Sequence, residues 1–221
     1  WGVAPLNDVL KWFTKEYTGF YRPLTALLWK FYYFLWDMEP IGYRLSNLIL
    51  HAGCATFIAA IGNFLFPRSR AGLLSGLFFL FLPGNIFGVI NIANLTGLLC
   101  SLFVLSSLLF YMHGRLNKRS CRIASVCLFV GGLLTKELAL CLPLIVAVWE
   151  ILLLSACREF TFRQWLLRIT PYALVTSSYV LFRYIQFGHL SHSPLGHSNI
   201  QPVNLFLNLI AYTSASIMPW G

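Results

Sequence analysis

Apolar runs of membrane-crossing length alternate with short polar breaks along most of the chain. The pattern predicts a first span over 42–66, a second over 71–91 interrupted by Pro83-Gly84-Asn85, and a third over 94–112. The apolar stretch 123–154 comes next, then a basic segment, a span over 169–187, a loop with His189, His192 and His197, and a last span starting near 203. A full crossing needs about 20 apolar residues. The expectation is therefore an all-α polytopic transmembrane bundle of about six to seven spans over 41–221. Residues 1–40 form a separate outward-facing region.

The stretch 123–154 carries Lys136 beside Glu137 near its middle. A lone charge at the centre of a spanning helix costs roughly 2.5–3.5 kcal/mol. The basic residues explain how it is tolerated. Arg68 and Arg70, then Arg115, Lys118, Arg119 and Arg122, then Arg158, Arg163 and Arg168 occupy alternate loops. The positive-inside rule puts those three loops on the cytoplasmic side. The count closes only if 123–154 crosses twice, turning at Thr135-Lys136-Glu137. From Ile123 to Thr135, the first arm reaches only ~20 Å against a ~30 Å hydrocarbon core. The turn is then sunk below the outer face, and charge at that depth needs protein or a water-filled cavity around it. A mutual Lys136–Glu137 salt bridge marking a tight turn is the plain alternative.

The outward region mixes apolar and aromatic residues with charges over 5–39, which suits one or two amphipathic helices at the interface. Pro23 starts the second, since its missing N–H is not needed in a first turn. Trp12, Phe13, Trp29, Tyr32, Tyr33 and Trp36 read as an aromatic belt.

Composition agrees. The chain has 221 residues, 58% hydrophobic and 10% charged, against about 25% charged for a soluble domain. The net charge of +9 lies mostly in the short loops, so topology accounts for it rather than nucleic acid. The six cysteines sit in or beside apolar segments without a C-x-x-C pair and read as small buried hydrophobes. The histidine triple lacks a carboxylate and reads as a solvated loop, so no metal site is expected. The chain opens at Trp1, without Met, and reads as a fragment of a longer membrane protein.

Several motifs follow one another in a familiar order. Tyr21-Arg22-Pro23-Leu24 is followed by Pro40, Gly42, Tyr43, Leu45, Asn47 and His51, and then by Thr135-Lys136-Glu137 with Pro143. From about residue 20 to 155 the chain resembles the polytopic GT-C glycosyltransferases, in the branch of the protein O-mannosyltransferases and the transmembrane TPR-containing mannosyltransferases. Arg44 stands where that branch usually has His. Its H-P-x-x-x-E block keeps Pro83, but Leu82 and Phe87 replace His and Glu. Leu95 and Gly97 fall where Arg and Asp are usual.

The resemblance implies an enzyme that moves a sugar from a polyprenyl-phosphate carrier to an acceptor outside the cytoplasmic face. The bilayer and the lipid-linked sugar are the expected partners, with a protein or glycolipid acceptor and no nucleic acid. The setting would be a bacterial inner membrane or the endoplasmic reticulum. Such chemistry needs a base for the acceptor hydroxyl and cations for the departing phosphate. Glu137 and Asp8 are the candidate catalytic acids, and Arg22, Lys136 and Arg183 the candidate phosphate site, with Tyr21, Asn47 and His51 in support. For Arg183 the alternative is snorkelling to the headgroups. Asn47 and His51, at i and i+4, suit hydrogen bonds between helices better than catalysis. No cofactor is expected, although the chemistry is compatible with a divalent cation. A catalytically degenerate relative, or a transporter or lipid flippase, is the alternative reading.

Overall fold

The computed structural model describes residues 21–115, 119–156 and 162–187. Among them there are eight α-helices and no strand. They are α1 (Pro23–Trp36), α2 (Pro40–Leu65), α3 (Ala71–Phe81), α4 (Pro83–Ile90), α5 (Leu95–Gly114), α6 (Arg119–Leu133), α7 (Leu142–Ala156) and α8 (Phe162–Phe187). Short 3-10 turns at Ile92–Asn94 and Glu137–Cys141 lead into α5 and α7. The segment 1–20, with Asp8, Trp12 and Phe13, lies outside the described residues, as do the histidine triple and the span expected near 203.

Two helical stretches, Pro40–Leu65 and Ile92–Gly114, are long and apolar enough to cross a membrane by length and composition. The pair α3–α4 makes a third if it counts as one span bent by 56°. The chain is an integral membrane protein. α6 and α7 have 15 residues each, so each reaches only about 22 Å and falls short of a crossing on its own. The expected double crossing at 123–154 is thus two short helices meeting at a break. Two boundaries differ from expectation. α6 begins at Arg119 rather than 123, and α8 at Phe162 rather than 169. Arg and Gln are good helix formers whose long stems can follow an apolar surface, so the basic "loop" residues Arg163 and Arg168 ride on α8.

Close contacts set the packing. α2 and α3 pack through small residues: a Cβ on Gly76 would lie 2.8 Å from the Ala55 carbonyl oxygen, and one on Gly72 would overlap Asn63. Between helices in lipid, association depends on such backbone approach rather than on a hydrophobic drive. α5 packs extensively on α6, where Ser107 donates to the Ser125 carbonyl at 2.7 Å and Ser125 to that of Ser107 at 2.6 Å. Cys54 and Cys100 are buried as expected, but Cys127 is exposed on α6. A thiol is apolar enough to face lipid as well as core.

The bend at Pro83 and the end of α4 leave carbonyls without helical partners, and in hydrocarbon each would cost several kcal/mol. Asparagines cover them. Asn85 Nδ2 donates to Phe79 O at 2.8 Å and Asn94 Nδ2 to Gly88 O at 3.1 Å. Asn47 Nδ2, from α2, reaches Val89 O and Asn91 O at 3.2 and 3.1 Å.

The basic termini gather at one end. Phe64 and His113 bring the end of α2 to that of α5, with ring centroids 5.1 Å apart. There Glu150, fully buried on α7, accepts from Tyr111 Oη at 2.6 Å, Arg115 Nε at 3.0 Å and Arg168 Nη1 at 3.0 Å. α5, α7 and α8 are joined through one carboxylate.

Two measurements test this packing. Gly76→Leu forces α2 and α3 apart and is expected to cost about 1–3 kcal/mol in thermal unfolding in detergent, the usual range for overpacking. Leu73→Ala, at a position 56% exposed on the same helix, is expected to leave the transition in place. Glu150→Ala strands two guanidiniums at a buried site and is expected to cost about 3–5 kcal/mol, the usual range for breaking a buried pair. A midpoint unchanged in Glu150→Ala would mean that the three-helix tie does not stabilise the bundle.

Candidate functional site

At the opposite end from Glu150, α6 stops at a glycine pair. Thr135 Oγ1 donates to Gly132 O at 2.6 Å, and the Thr135 and Lys136 amides donate to the same oxygen at 3.0 and 3.1 Å. Lys136 is extended, with φ −160° and ψ 145°, and the 3-10 turn starts at Glu137. α1 docks onto this turn by its first residues. Pro23 stands at the first helical position, as its lack of an N–H allows. The Leu24 amide, an orphan donor of the first turn, donates to Leu134 O at 3.2 Å, and Thr25 Oγ1 donates to Thr135 O at 3.2 Å.

That docking sets Tyr21 and Arg22 over the turn. Arg22 Nη2 donates to Glu137 Oε2 at 3.3 Å. From α8, Arg183 Nη1 donates to Glu137 Oε1 at 2.8 Å. Residues 115 and 46 positions away along the chain thus converge on one carboxylate. Arg183 is 3% exposed at its side chain, whereas Glu137 keeps 29% and Arg22 21%. Arg183 therefore does not snorkel. Two guanidiniums thus converge on one carboxylate, and Lys136 stands next to it in sequence. The plain alternative, a Lys136–Glu137 salt bridge, does not occur among the described residues; the Glu137 oxygens accept from the arginines. The Lys136 carbonyl instead accepts from Cys100 Sγ at 3.8 Å.

An apolar groove of 440 Å³ lies between α6 and α8, lined not by the cluster itself but by its chain neighbours Tyr21, Phe182 and Tyr179. Leu133, Leu134, Leu174 and Val175 form its walls, and Tyr21, Tyr179 and Phe182 close its upper end. Tyr21 packs on Phe182 with centroids 5.5 Å apart. Tyr179 lies one helical turn before Arg183, so groove and guanidinium share a face of α8.

The other sequence candidates lie elsewhere. Asn47 and His51 are buried on α2 and serve the bent α3–α4 segment, His51 Nε2 sitting 3.4 Å from Leu80 O. Asn94, which heads an N-x-T sequon, has its amide engaged with Gly88. Of the departures from the family pattern, Leu95 is 1% exposed in the core and Gly97 lies against Asn94, with a Cβ there only 2.7 Å from Asn94 Oδ1. Both positions are occupied by packing. The Phe87 side chain lies outside the described residues. Among these residues no cluster of His, Cys, Asp and Glu could hold a metal ion. The sequence reading missed the role of Thr25, which no motif signals, and that of Tyr179, which its i, i+4 relation to Arg183 could have raised. It also missed the Glu150 tie, although a lone acid in an apolar run facing several basic residues was a usable sign.

The comparisons with known proteins bear on what such a site serves. No family model matches the chain, and no solved structure matches it. The chain is similar to the protein O-mannosyl-transferase Tmtc1 of Drosophila melanogaster, 26% identical over 161 residues, which cover 68% of this chain and 18% of that protein. It is also similar to human TMTC4, 28% identical over 157 residues, 61% of this chain and 21% of the relative. Human TMTC3 is 30% identical over 95 residues, 43% of this chain and 10% of the relative. The chain thus spans about a fifth or less of the length of the curated relatives it matches. The resemblance carried by the Y-R-P-L block and the T-K-E turn is a resemblance to the transmembrane protein O-mannosyl-transferases.

Proposed function

We propose that this chain is part of a membrane glycosyltransferase that takes a sugar, by the relatives' names mannose, from a polyprenyl-phosphate donor and passes it to a protein hydroxyl. One observation carries the reading: two guanidiniums and Lys136 gather around the Glu137 turn, next to an apolar groove between α6 and α8. That is the shape of a lipid phosphate, with the charge at the clamp and the chain along α6 and α8. The reading puts the cluster on the extracytoplasmic side, opposite the gathered basic ends, facing the lumen of the endoplasmic reticulum in a eukaryotic cell.

Each residue has a role in this proposal. Arg22 and Arg183 hold the donor phosphate by charge-assisted hydrogen bonds and Lys136 adds a third cation. As the bond from the anomeric carbon to the phosphate oxygen breaks, its electron pair stays on that oxygen, where the cations stabilise it. The acceptor oxygen attacks from the other side, leaving the anomeric centre inverted. Glu137 is a positioning residue, because oxygens that each accept from a guanidinium have little basicity left. The base that takes the hydroxyl proton then comes from the segment before α1, where Asp8 is the candidate. Side chains carry the phosphate charge, so the step does not require a divalent cation.

A second reading is favoured by Leu95 and Gly97, which fill two motif positions with packing. It is a degenerate relative that keeps the lipid-phosphate site without transfer.

The test is transfer from labelled polyprenyl-phosphate mannose in membranes holding the full-length protein. Arg183→Gln is expected to raise the donor KM about 10–100-fold, the equivalent of losing a charged hydrogen bond of about 1.5–3 kcal/mol. Glu137→Gln is expected to raise it less, since the arginines remain. Chelation with EDTA is expected to leave the rate at its control value. An unchanged donor KM in Arg22→Gln and Arg183→Gln, with the protein intact, overturns the phosphate assignment. Donor binding without any transfer by the wild type selects the degenerate reading. Orientation is tested by Lys136→Cys in a background without other cysteines. A membrane-impermeant maleimide is expected to label it from the luminal side only, and labelling from the cytosol reverses the assignment.

A further inference from the structure

A second cavity, of 280 Å³, lies at the other end of the bundle, beside the Glu150 tie. It opens between α6 and α8 and takes its polar lining from Arg122, Gln164 and Arg168. Its floor is Val126, Pro171 and Tyr172. The floor is rigid. Tyr172 is 2% exposed, its hydroxyl 2.6 Å from Ser125 Oγ, its ring edge-on to Tyr111 at 5.7 Å. The arginines are held as well. Arg168 is fixed by its bond to Glu150. The Arg122 stem runs across Gly114, where a Cβ would come within 2.7 Å of Arg122 Cγ.

Charge balance points to an anion. Arg122 and Arg168 line the cavity with no acid beside them in its wall, and the one carboxylate that Arg168 meets, Glu150, is shared with Arg115. Among the described residues no second carboxylate joins them. The apolar floor, running out to Leu167, which is 63% exposed, favours an amphiphile over a free ion. Basic pockets between helices at the cytosolic side are suited to lipid phosphates. We propose that this cavity binds the phosphate of an anionic phospholipid from the cytosolic leaflet, with Arg122 and Arg168 on the headgroup and the start of an acyl chain over Val126 and Leu167. This site is separate from the donor site at Arg22, Glu137 and Arg183, and neither proposal needs the other.

Native mass spectrometry of the full-length protein, released from nanodiscs of phosphatidylcholine with phosphatidylserine, reads lipid retention directly. The wild type is expected to retain phosphatidylserine selectively. Arg122→Gln, a change at an exposed side chain, is expected to weaken that retention about five-fold, as loss of one basic group near a lipid surface does. Val126→Trp fills the floor without changing charge and is expected to abolish it. Equal retention by Arg122→Gln and wild type overturns the site. So does a wild type without preference for phosphatidylserine, the result that a cavity filled by another segment of the full chain would give. Displacement of the lipid by millimolar inorganic phosphate shows a free-anion site and overturns the lipid assignment. Mannose transfer measured on the same samples keeps this result distinct from the donor reading.

Discussion

A carboxylate held by two guanidiniums is the interaction on which this bundle depends, and it occurs twice. Glu137 joins the start of α1, the α6–α7 turn and α8; Glu150 joins the end of α5, α7 and the first half of α8. Neither group is free to sit bare in hydrocarbon, so each pair fixes the elements that carry it. The two ties also agree with one another. Along the chain, Glu137 and Glu150 are separated by nearly the same stretch as Arg168 and Arg183, in the opposite order. This is the spacing that an antiparallel α7 and α8 require. Val146 and Tyr172, both in the core between the ties, follow the same register.

Backbone groups that the bends and helix ends release find partners in neighbouring side chains and turns. Pro83 bends the α3–α4 segment and Asn85 covers a carbonyl that the bend releases, while Asn47 and Asn94 cover those at the end of α4. α1 begins with donors that no helix can satisfy, and the α6–α7 turn supplies acceptors for them. The turn in exchange acquires Arg22. A local requirement of backbone chemistry thus delivers a cation to the place where the functional reading needs one.

Much of this could be read from residue order. The turn at Thr135-Lys136-Glu137 follows from arms too short to cross, and the bend at Pro83 from a proline in an apolar run. Pro23 as the start of a helix follows from its missing N–H. The three basic loops fall on one side because spans alternate. Partners were harder to read. Lys136 beside Glu137 suggested a pair of neighbours, yet the real partners come from positions 22 and 183, and no periodicity reports contacts over such separations. Glu150 is locally only one acid in an apolar helix. That it ties three helices depends on Tyr111 and Arg115 arriving from α5, which requires the packing of α5 on α6 and is invisible locally. Helix ends were misjudged where basic residues prolong a helix past its apolar stretch, at Arg119 and Phe162.

The two ties have the same chemical composition but differ in their access to water. Glu150 is sealed, whereas Glu137 keeps almost a third of its side-chain surface open. A carboxylate sealed from water is held in its contacts, so it behaves as a rivet. An open one can trade its contacts for those of an incoming anion while the rivet keeps α7 and α8 aligned. On the proposed reading, an arriving lipid phosphate finds its exchangeable contacts at one end of the helix pair, with the rivet at the other.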